Sequence, residues 1–373
     1  MVGCGGEGGP GDPAPGAGAV WRPEDVTASW LTAVLGDAGM LAGASVRDFT
    51  VSPVGAGQMG DSFRFRLELD PARDSGPHSV VGKFTAADEQ SRTTGVSMRT
   101  AEVEVRFYQQ IAPTLGARMA ACFFADVDPA TARFALLLED LAPRVPGDQI
   151  AGCGVDEAAA ALEELAKVHA GRWADPRLAR LEWLNRRDEA SRSVLAQVLP
   201  LLYDGFVDRY GSRLGEPVPR VGDRFFPRVG DYLHDRPGPR TVQHADYRAD
   251  NLLFGAPGSP VAIVDWQTVT AGPASADVSY FLGGSVGTEQ RRRHEEDLLR
   301  HYFAALCAAG VSGYRFEELR REYRRHAYAG LVMTVGAAMM VARTDRGDDM
   351  FLAMAHRHAS HIEDLQSEAL LAD

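Results

Sequence analysis

The sequence predicts an α+β protein of two lobes, a small β-rich N-terminal lobe followed by a larger helical C-terminal lobe. Short segments of alternating polar and apolar residues, punctuated by glycine and proline, occupy much of the chain up to Asp140. Segments with helical periodicity dominate after Asp148. With 373 residues, the chain is long enough for each lobe to have its own hydrophobic core.

The composition is that of a soluble globular protein, with 45% hydrophobic and 24% charged residues. The net charge of −12 disfavours nucleic acid or an anionic membrane as a main partner, because both attract basic patches. The four cysteines form no C-x-x-C pair, which disfavours a zinc site and a disulfide framework and favours the cytoplasm. No apolar run approaches the length of a membrane span. The sequence leaves the oligomeric state open.

The N-terminal lobe is predicted to span residues 21–140, after a flexible tail rich in glycine and proline at 1–20. A helix should begin near Trp21, because a proline and two acids form a typical first turn, and should run towards Gly43. The periodicity then predicts three strands, a helix and a fourth strand, in this order: 46–53, 62–69, 80–84, 99–113 and 134–138.

The C-terminal lobe is predicted to span residues 141–373 and to be mainly helical. Five helices are expected, at 156–170, 186–215, 289–310, 315–342 and 348–371. His169 lies on the apolar face of the first of these helices, so a packed histidine is a simpler interpretation than a catalytic one. Four aromatic residues either line an apolar pocket or belong to the core: Trp173, Trp183, Tyr232 and Phe281.

One stretch, Thr241 to Gln267, carries the strongest functional pattern of the chain. It contains H-x-D-x-x-x-x-N, then an apolar strand that ends in an aspartate, which is typical of kinase-like phosphotransferases. In such a loop one carboxylate orients an acceptor hydroxyl, while an amide and a second carboxylate hold magnesium against nucleotide phosphates. We therefore assign the catalytic role to Asp246 and the metal-binding role to Asn251 and Asp265.

The segment between the first two predicted strands is rich in glycine. Glycines there allow backbone N–H groups to approach phosphate oxygens, which predicts a cofactor-binding loop. An ordinary hairpin turn that needs positive φ angles would produce the same pattern. The candidate residues of this loop are Gly55, Gly57, Gly60 and Ser62.

Lys83 is a lone lysine in an apolar strand, and it follows the glycine-rich segment by about two dozen residues. This position suits a lysine that holds the α- and β-phosphates of ATP, although an edge or snorkelling lysine would look the same. Two glutamates of the following helix, Glu102 and Glu104, are candidates to pair with it. Glu104 is the preferred partner because it opens an E-x-x-F-Y pattern; a solvated helix charge is the alternative.

Three further assignments follow from position in the chain. The end of the fourth predicted strand is a suitable hinge between the lobes, where backbone groups of Glu139 and Leu141 would meet an adenine edge. Arg248 follows Asp246 by two residues and would stabilise the transferred phosphoryl group. Asp277 is expected to tie the backbone of the catalytic loop in place, and His244 to shape that loop.

The motifs GAGQMGDSF, VVGKF, EVRFY, LLLEDL, HADYRADN, VDWQ and AGPASADVSYFL together resemble the aminoglycoside phosphotransferase-like superfamily. Within it, they look closest to the bacterial relatives of ecdysteroid kinase-like and choline kinase-like proteins. The resemblance covers about residues 25–365. It implies a two-lobed, protein-kinase-like fold that uses ATP and magnesium to phosphorylate a hydroxyl of a small molecule.

Alanine stands at position 245, where proteins of this superfamily usually have glycine between the histidine and the aspartate. An added methyl group penalises a positive φ angle, so the loop would be slightly altered. Two alternatives stay open: an aminoglycoside or macrolide kinase, and a nucleotide-binding pseudokinase with a regulatory role. The sequence does not identify the acceptor, nor does it distinguish ATP from GTP.

Overall fold

The computed structural model describes residues 20–55, 60–72, 76–185, 188–234 and 239–371. Gly57 of the predicted glycine loop lies outside these residues, as does the predicted tail apart from Val20.

The N-terminal lobe is built on a five-stranded antiparallel sheet with the strand order β1-β2-β3-β5-β4. Its strands are β1 (Ser45–Pro53), β2 (Gly60–Asp70), β3 (Ser79–Thr85), β4 (Cys122–Asp128) and β5 (Arg133–Glu139). Its helices are α1 (Ala28–Asp37), α2 (Glu89–Met98) and α3 (Thr100–Gln110). The first predicted helix therefore begins later than expected, after a 3₁₀ turn at Pro23–Asp25.

Alternation along β3 decides which side chains enter the core of this lobe. Val80 and Phe84 are buried against Phe65 and the helix α1. Lys83 therefore points to the opposite face of the sheet, because successive side chains of a strand alternate between its two faces. Strand β4 was not predicted from the sequence. Its side chains are half-buried and do not alternate between buried and exposed with a period of two.

The C-terminal lobe is helical, with short strands that frame one loop. Its helices are α4 (Val155–Gly171), α5 (Glu189–Tyr210), α6 (Pro217–Phe225), α7 (Val229–Leu233), α8 (Ala274–Ser285), α9 (Thr288–Ala308), α10 (Phe316–Arg325), α11 (Tyr328–Met340) and α12 (Asp345–Asp364). Its strands are β6 (Val145–Pro146), β7 (Thr241–Gln243), β8 (Leu252–Phe254), β9 (Ala262–Ile263) and β10 (Thr270–Gly272).

The prediction of a single helix over 315–342 is wrong, because the chain forms α10 and α11 with a break at His326 and Ala327. The His326 ring contacts the carbonyl oxygen of Glu322 at 2.8 Å and the hydroxyl of Ser275 on α8 at 3.0 Å. Neither glycine nor proline marks this break in the sequence. The packing against α8 is what distinguishes it.

Two hydrophobic clusters form the core of this lobe. One contains α4, α9 and the strands around the catalytic loop, and it extends to α3 and β5 of the N-terminal lobe. The other joins α5, α6, α11 and α12. Among the described residues, no helix is both long and apolar enough to cross a membrane.

Helices α8, α11 and α12 approach each other closely around the buried ring of His358. A Cβ atom at Gly330 would lie 1.9 Å from this ring, and one at Gly284 would lie 2.7 Å from it. Within the described part of the chain, neither ring nitrogen has a hydrogen-bond partner. Burial lowers the pKa of His358 well below its ordinary value, so the ring packs as a neutral group.

We expect Gly330→Ala to lower the free energy of unfolding by about 3 kcal/mol, because the added methyl group cannot fit beside His358. Gly336→Ala on the same helix is the matched control, since a Cβ there has no neighbour within 4 Å. It should raise stability by up to about 1 kcal/mol through helix propensity. Urea denaturation of both variants measures the difference, and equal effects would contradict the close packing around His358.

Candidate active site

The loop predicted to be catalytic, residues 244–251, lies between the strands β7 and β8 and is called the catalytic loop below. Strand β7 pairs with β10, and β8 pairs with β9, so both ends of the loop are anchored in short antiparallel ladders. Asp265 follows β9 by two residues and has a left-handed backbone with φ of 68°. A non-glycine residue in this region is uncommon, and such residues cluster at functional sites. These ladders bring Asp246, Asn251 and Asp265 to one cleft.

A buried ion cluster joins the two lobes at this cleft. Lys83 Nζ lies 2.6 Å from Glu104 Oε2 and 2.9 Å from Asp265 Oδ1. The preferred pairing of Lys83 with Glu104 is therefore present, while Glu102 contacts Arg99 instead. Burial opposes the charge on Lys83, but the two carboxylates outweigh it and raise its pKa. The lysine is consequently charged, and its charge keeps the pKa of Asp265 below the ordinary value despite burial.

Aromatic packing couples α3 to the aspartate of this cluster. The rings of Phe107 on α3 and Trp266 stack with centroids 4.0 Å apart and planes 12° from parallel. Trp266 is fully buried and directly follows Asp265. The stack therefore fixes Asp265 relative to the helix that carries Glu104.

The Asp246 carboxylate is held by donors from three side chains. Arg248 Nε lies 3.1 Å from both of its oxygens, and Asn251 Nδ2 lies 2.9 Å from Oδ2. The hydroxyl of Tyr280 on α8 donates to Oδ1 at 2.7 Å. A carboxylate with this many charged and neutral donors has a fixed plane.

Arg248 lies between two aspartates rather than in solvent. Besides Asp246, its guanidinium contacts Asp250 at 2.8 Å and the sulfur of Met350 at 3.1 Å. Burial opposes its charge, but the neighbouring carboxylates raise its pKa further above the ordinary value. Arg346 of α12 also binds Asp250, at 3.0 Å, which links this helix to the catalytic loop.

Asp277 holds the backbone of the catalytic loop in place, as predicted from the sequence. Its carboxylate accepts the backbone N–H groups of His244 and Ala245 at 2.7 and 2.9 Å. Its Oδ2 also lies 3.3 Å from Nε2 of His169, which is fully buried and contacts Tyr302 through its other nitrogen. His169 therefore has the packed, structural position that was preferred for it.

Asn251 and Asp265 form a donor set suited to magnesium. The amide nitrogen of Asn251 donates to the backbone oxygen and the carboxylate of Asp246, so its amide oxygen is the group turned to other partners. Asp265 accepts from Lys83 and from Gln267 through different oxygens, and each oxygen has a second lone pair. Hard oxygen ligands of this kind fit magnesium beside phosphates.

Of the predicted glycine-loop residues that the structure describes, Gly55 lines the same cleft, and Gly60 and Ser62 lie on β2 beside Lys83. Gly55 has a φ of 74°, and a Cβ at Gly60 would lie 3.4 Å from Lys83 Cε. Ser62 pairs with Lys83 across the β2–β3 ladder. Their contacts with a nucleotide remain predictions.

The hinge segment differs in one respect from expectation. The backbone N–H of Glu139 is engaged, because it donates to the carbonyl of Ala121 at 2.8 Å. Its carboxylate binds Arg118 at 2.6 Å. Leu141 is buried against the C-terminal core, and its backbone remains a predicted contact for an adenine edge.

A cavity of about 1930 Å³ opens from Asp246 between the helices of the C-terminal lobe. Part of its wall is mainly apolar and is formed by three helices. The residues of this apolar wall are Leu195, Leu199, Leu202, Val332, Met333, Met340, Met350, Phe351 and Met354. Tyr232 also lines the cavity. Trp183 and Phe281 are in the hydrophobic core, and Trp173 packs against that core.

The sequence analysis gave no role to Tyr280, Gln267 or Arg346. Tyr280 had a detectable signal: it follows Asp277 by three residues, and residues with this spacing share one face of a helix. Since Asp277 was expected to face the loop, Tyr280 should face it as well. Arg346 had none, because it lies 96 residues from its partner Asp250.

Ala245 has a φ of 63°, which confirms that this position requires the conformation glycine adopts most easily. We expect Ala245→Gly to raise the free energy of unfolding by about 0.5–1 kcal/mol. Ala132→Gly is the control, because Ala132 has a φ of 52° in the turn between β4 and β5, away from the cleft. Chemical denaturation should show a similar gain for both, and a loss at position 245 alone would contradict the assignment of strain to the backbone.

Comparisons with known proteins identify the family and the fold of this chain. The model of the ecdysteroid kinase-like family matches residues 55–310. An uncharacterised kinase-like protein of Caenorhabditis elegans is 30% identical over 90 residues, which is 24% of each chain. This chain thus matches about a quarter of the length of that curated relative.

Two solved structures show the same fold at low sequence identity. Choline kinase of Cryptosporidium parvum superposes with a TM-score of 0.53 and 10% identity, over 86% of this chain and 90% of that one. The GDP complex of aminoglycoside 2'-phosphotransferase-IIIa gives a TM-score of 0.51 and 13% identity, over 87% of this chain and 98% of that one. With a family model that covers more than half of its length, the chain belongs to the ecdysteroid kinase-like family.

Proposed function

We propose that the protein is an ATP-dependent phosphotransferase that transfers the γ-phosphate to a hydroxyl group of a small molecule in the cytoplasm. The observation that carries this proposal is the shared cleft of the Lys83–Glu104–Asp265 cluster and the Asp246 carboxylate, which opens into a large cavity. Phosphoryl transfer requires positioning and charge neutralisation more than covalent chemistry. These groups supply both.

Each residue has a distinct role in this proposal. Lys83 would bind the α- and β-phosphates, and Glu104 would keep it in place. Asn251 and Asp265 would hold magnesium, which neutralises charge on the phosphates when it is bound. Asp246 would orient the acceptor hydroxyl and receive its proton, while Arg248 would add positive charge near the transferred group.

The geometry favours an active enzyme over a pseudokinase. The motive for the pseudokinase hypothesis was Ala245, but this residue accepts the left-handed backbone and still donates its N–H to Asp277. The charged groups that the reaction needs also form ion pairs, Lys83 with Asp265 and Arg248 with Asp246. A regulatory role without turnover has no comparable support.

The cavity wall also bears on the acceptor. Leucine, methionine and phenylalanine side chains of α5, α11 and α12 would bury an apolar body of a substrate better than a polycationic one. We therefore propose an alcohol with a substantial apolar part. Of the two antibiotic classes, the aminoglycosides fit this wall poorly, whereas a macrolide is a reasonable member of a substrate panel.

We expect magnesium-dependent release of ADP from ATP in the presence of the right alcohol. The panel should contain sterols, macrolides, hydroxy acids, sugars, choline and aminoglycosides, each with ATP and with GTP. Asp246→Asn should lower kcat by about 10²–10⁴-fold, because it removes the base and keeps the shape. Calorimetry should show that this variant still binds magnesium–ATP. Failure of the wild-type protein to bind magnesium–ATP would refute the proposal.

Leu195→Glu should raise the KM for an apolar acceptor about 10-fold or more, because a charge in the apolar wall must be desolvated when the acceptor binds. The KM for ATP should stay unchanged. Val194→Glu is the matched control, since Val194 is the neighbouring residue of α5 and is 59% exposed. Steady-state kinetics of both variants test the wall, and an equal effect on both would contradict it.

A further inference from the structure

Helix α8 contacts the catalytic loop through several side chains, among them Asp277 and Tyr280 on one face. Asp277 binds the backbone of the loop, as described above, and Tyr280 lies one turn further along. The Tyr280 hydroxyl donates to Asp246 Oδ1 at 2.7 Å, and the tyrosine is only 4% exposed. One helix therefore holds both the backbone of the loop and the carboxylate assigned as the base.

The hydrogen bonds of Asp246 show what the tyrosine contributes. A carboxylate offers about four lone-pair sites. Here Arg248 Nε is shared by both oxygens, Asn251 donates to Oδ2, and Tyr280 donates to Oδ1. Each oxygen therefore has two donor contacts, and Tyr280 is the donor among them that comes from outside the catalytic loop.

Tyr280 is itself rigidly supported. Its ring stacks on the buried ring of His358 on α12, with centroids 5.5 Å apart and planes 21° from parallel. Burial and the charge of Asp246 raise the pKa of Tyr280 well above its ordinary value, so the hydroxyl remains a donor. Both α8 and α12 also contribute residues to the wall of the cavity, among them Tyr280 and Met354.

We infer that Tyr280 is a positioning residue of the phosphotransfer reaction, which fixes the rotation of the Asp246 carboxylate and links it to the helices around the acceptor. The inference rests on the proposed function. In the reaction, the acceptor hydroxyl attacks the γ-phosphorus, its proton passes to Asp246, the bond from the γ-phosphorus to the bridging oxygen breaks, and ADP leaves. Tyr280 keeps its own proton throughout and acts only through Asp246.

The test is the variant Tyr280→Phe, which retains the ring stack on His358 and removes one hydroxyl. We expect kcat to fall about 10-fold or more, both for magnesium–ATP hydrolysis with water as the acceptor and for the best alcohol of the panel. The KM for ATP and the calorimetric affinity for magnesium–ATP should stay within twofold of the wild-type values, because Tyr280 has no assigned contact with the nucleotide.

Tyr210→Phe is the matched control for stability. Tyr210 is equally buried, and its hydroxyl donates to the carboxylate of Asp348 at 2.9 Å, outside the catalytic loop. Both variants lose one buried hydroxyl–carboxylate bond, so both should lose similar thermal stability, and only Tyr280→Phe should lose kcat. Wild-type turnover with an unchanged kcat in Tyr280→Phe would overturn the positioning role alone. Absence of wild-type turnover despite nucleotide binding would overturn the proposed function, and the inference with it.

Discussion

The ion cluster of Lys83, Glu104 and Asp265 is the interaction on which the arrangement of the cleft depends. It joins a strand and a helix of the N-terminal lobe to the segment that follows β9 in the C-terminal lobe. Removal of one partner from such a buried cluster leaves an uncompensated charge, which is strongly destabilising. The cluster carries one cation and two carboxylates, so its formal charge of −1 also suits a bound divalent cation beside it.

Packing reinforces this cluster and explains why it can be ordered. The stacked rings of Phe107 and Trp266 are fully buried, and each ring belongs to a segment that carries one of the two carboxylates. Their stacking fixes the orientation of the two segments, whereas the ion pairs define the positions of individual atoms. Together they make the relative position of α3 and Asp265 a condition for the whole site.

Helix α8 has a comparable function for the catalytic loop. Asp277 accepts hydrogen bonds from the backbone of a loop in which Ala245 has a left-handed conformation. Tyr280 donates a hydrogen bond to the side chain of Asp246. The close approach of α8 and α11 to α12 needs glycine at 283, 284 and 330, because the His358 and His361 rings fill the space where Cβ atoms would lie. The strained backbone of Ala245 is thus supported by the close packing of α8, α11 and α12.

The apolar wall of the cavity depends on how the helices pack against each other rather than on ion pairs. Leu195 and Met333 belong to helices whose apolar residues either pack in the core or face the cavity. A helical pattern reports only that a residue avoids water, so both situations give the same periodicity. The apolar wall of the cavity is therefore defined only by the packing of the helices against each other.

The sequence by itself determined the two-lobed α+β fold, the catalytic loop and the choice of Glu104 as the partner of Lys83. These features depend on short-range rules: alternation in a strand sets the face of Lys83, and a five-residue spacing keeps Asp246 and Asn251 in one loop. Only the tertiary structure decided the break between α10 and α11, the engagement of the Glu139 N–H and the contact of Arg346 with Asp250. Each of these depends on groups from separate elements, and local periodicity contains no information about which distant groups meet.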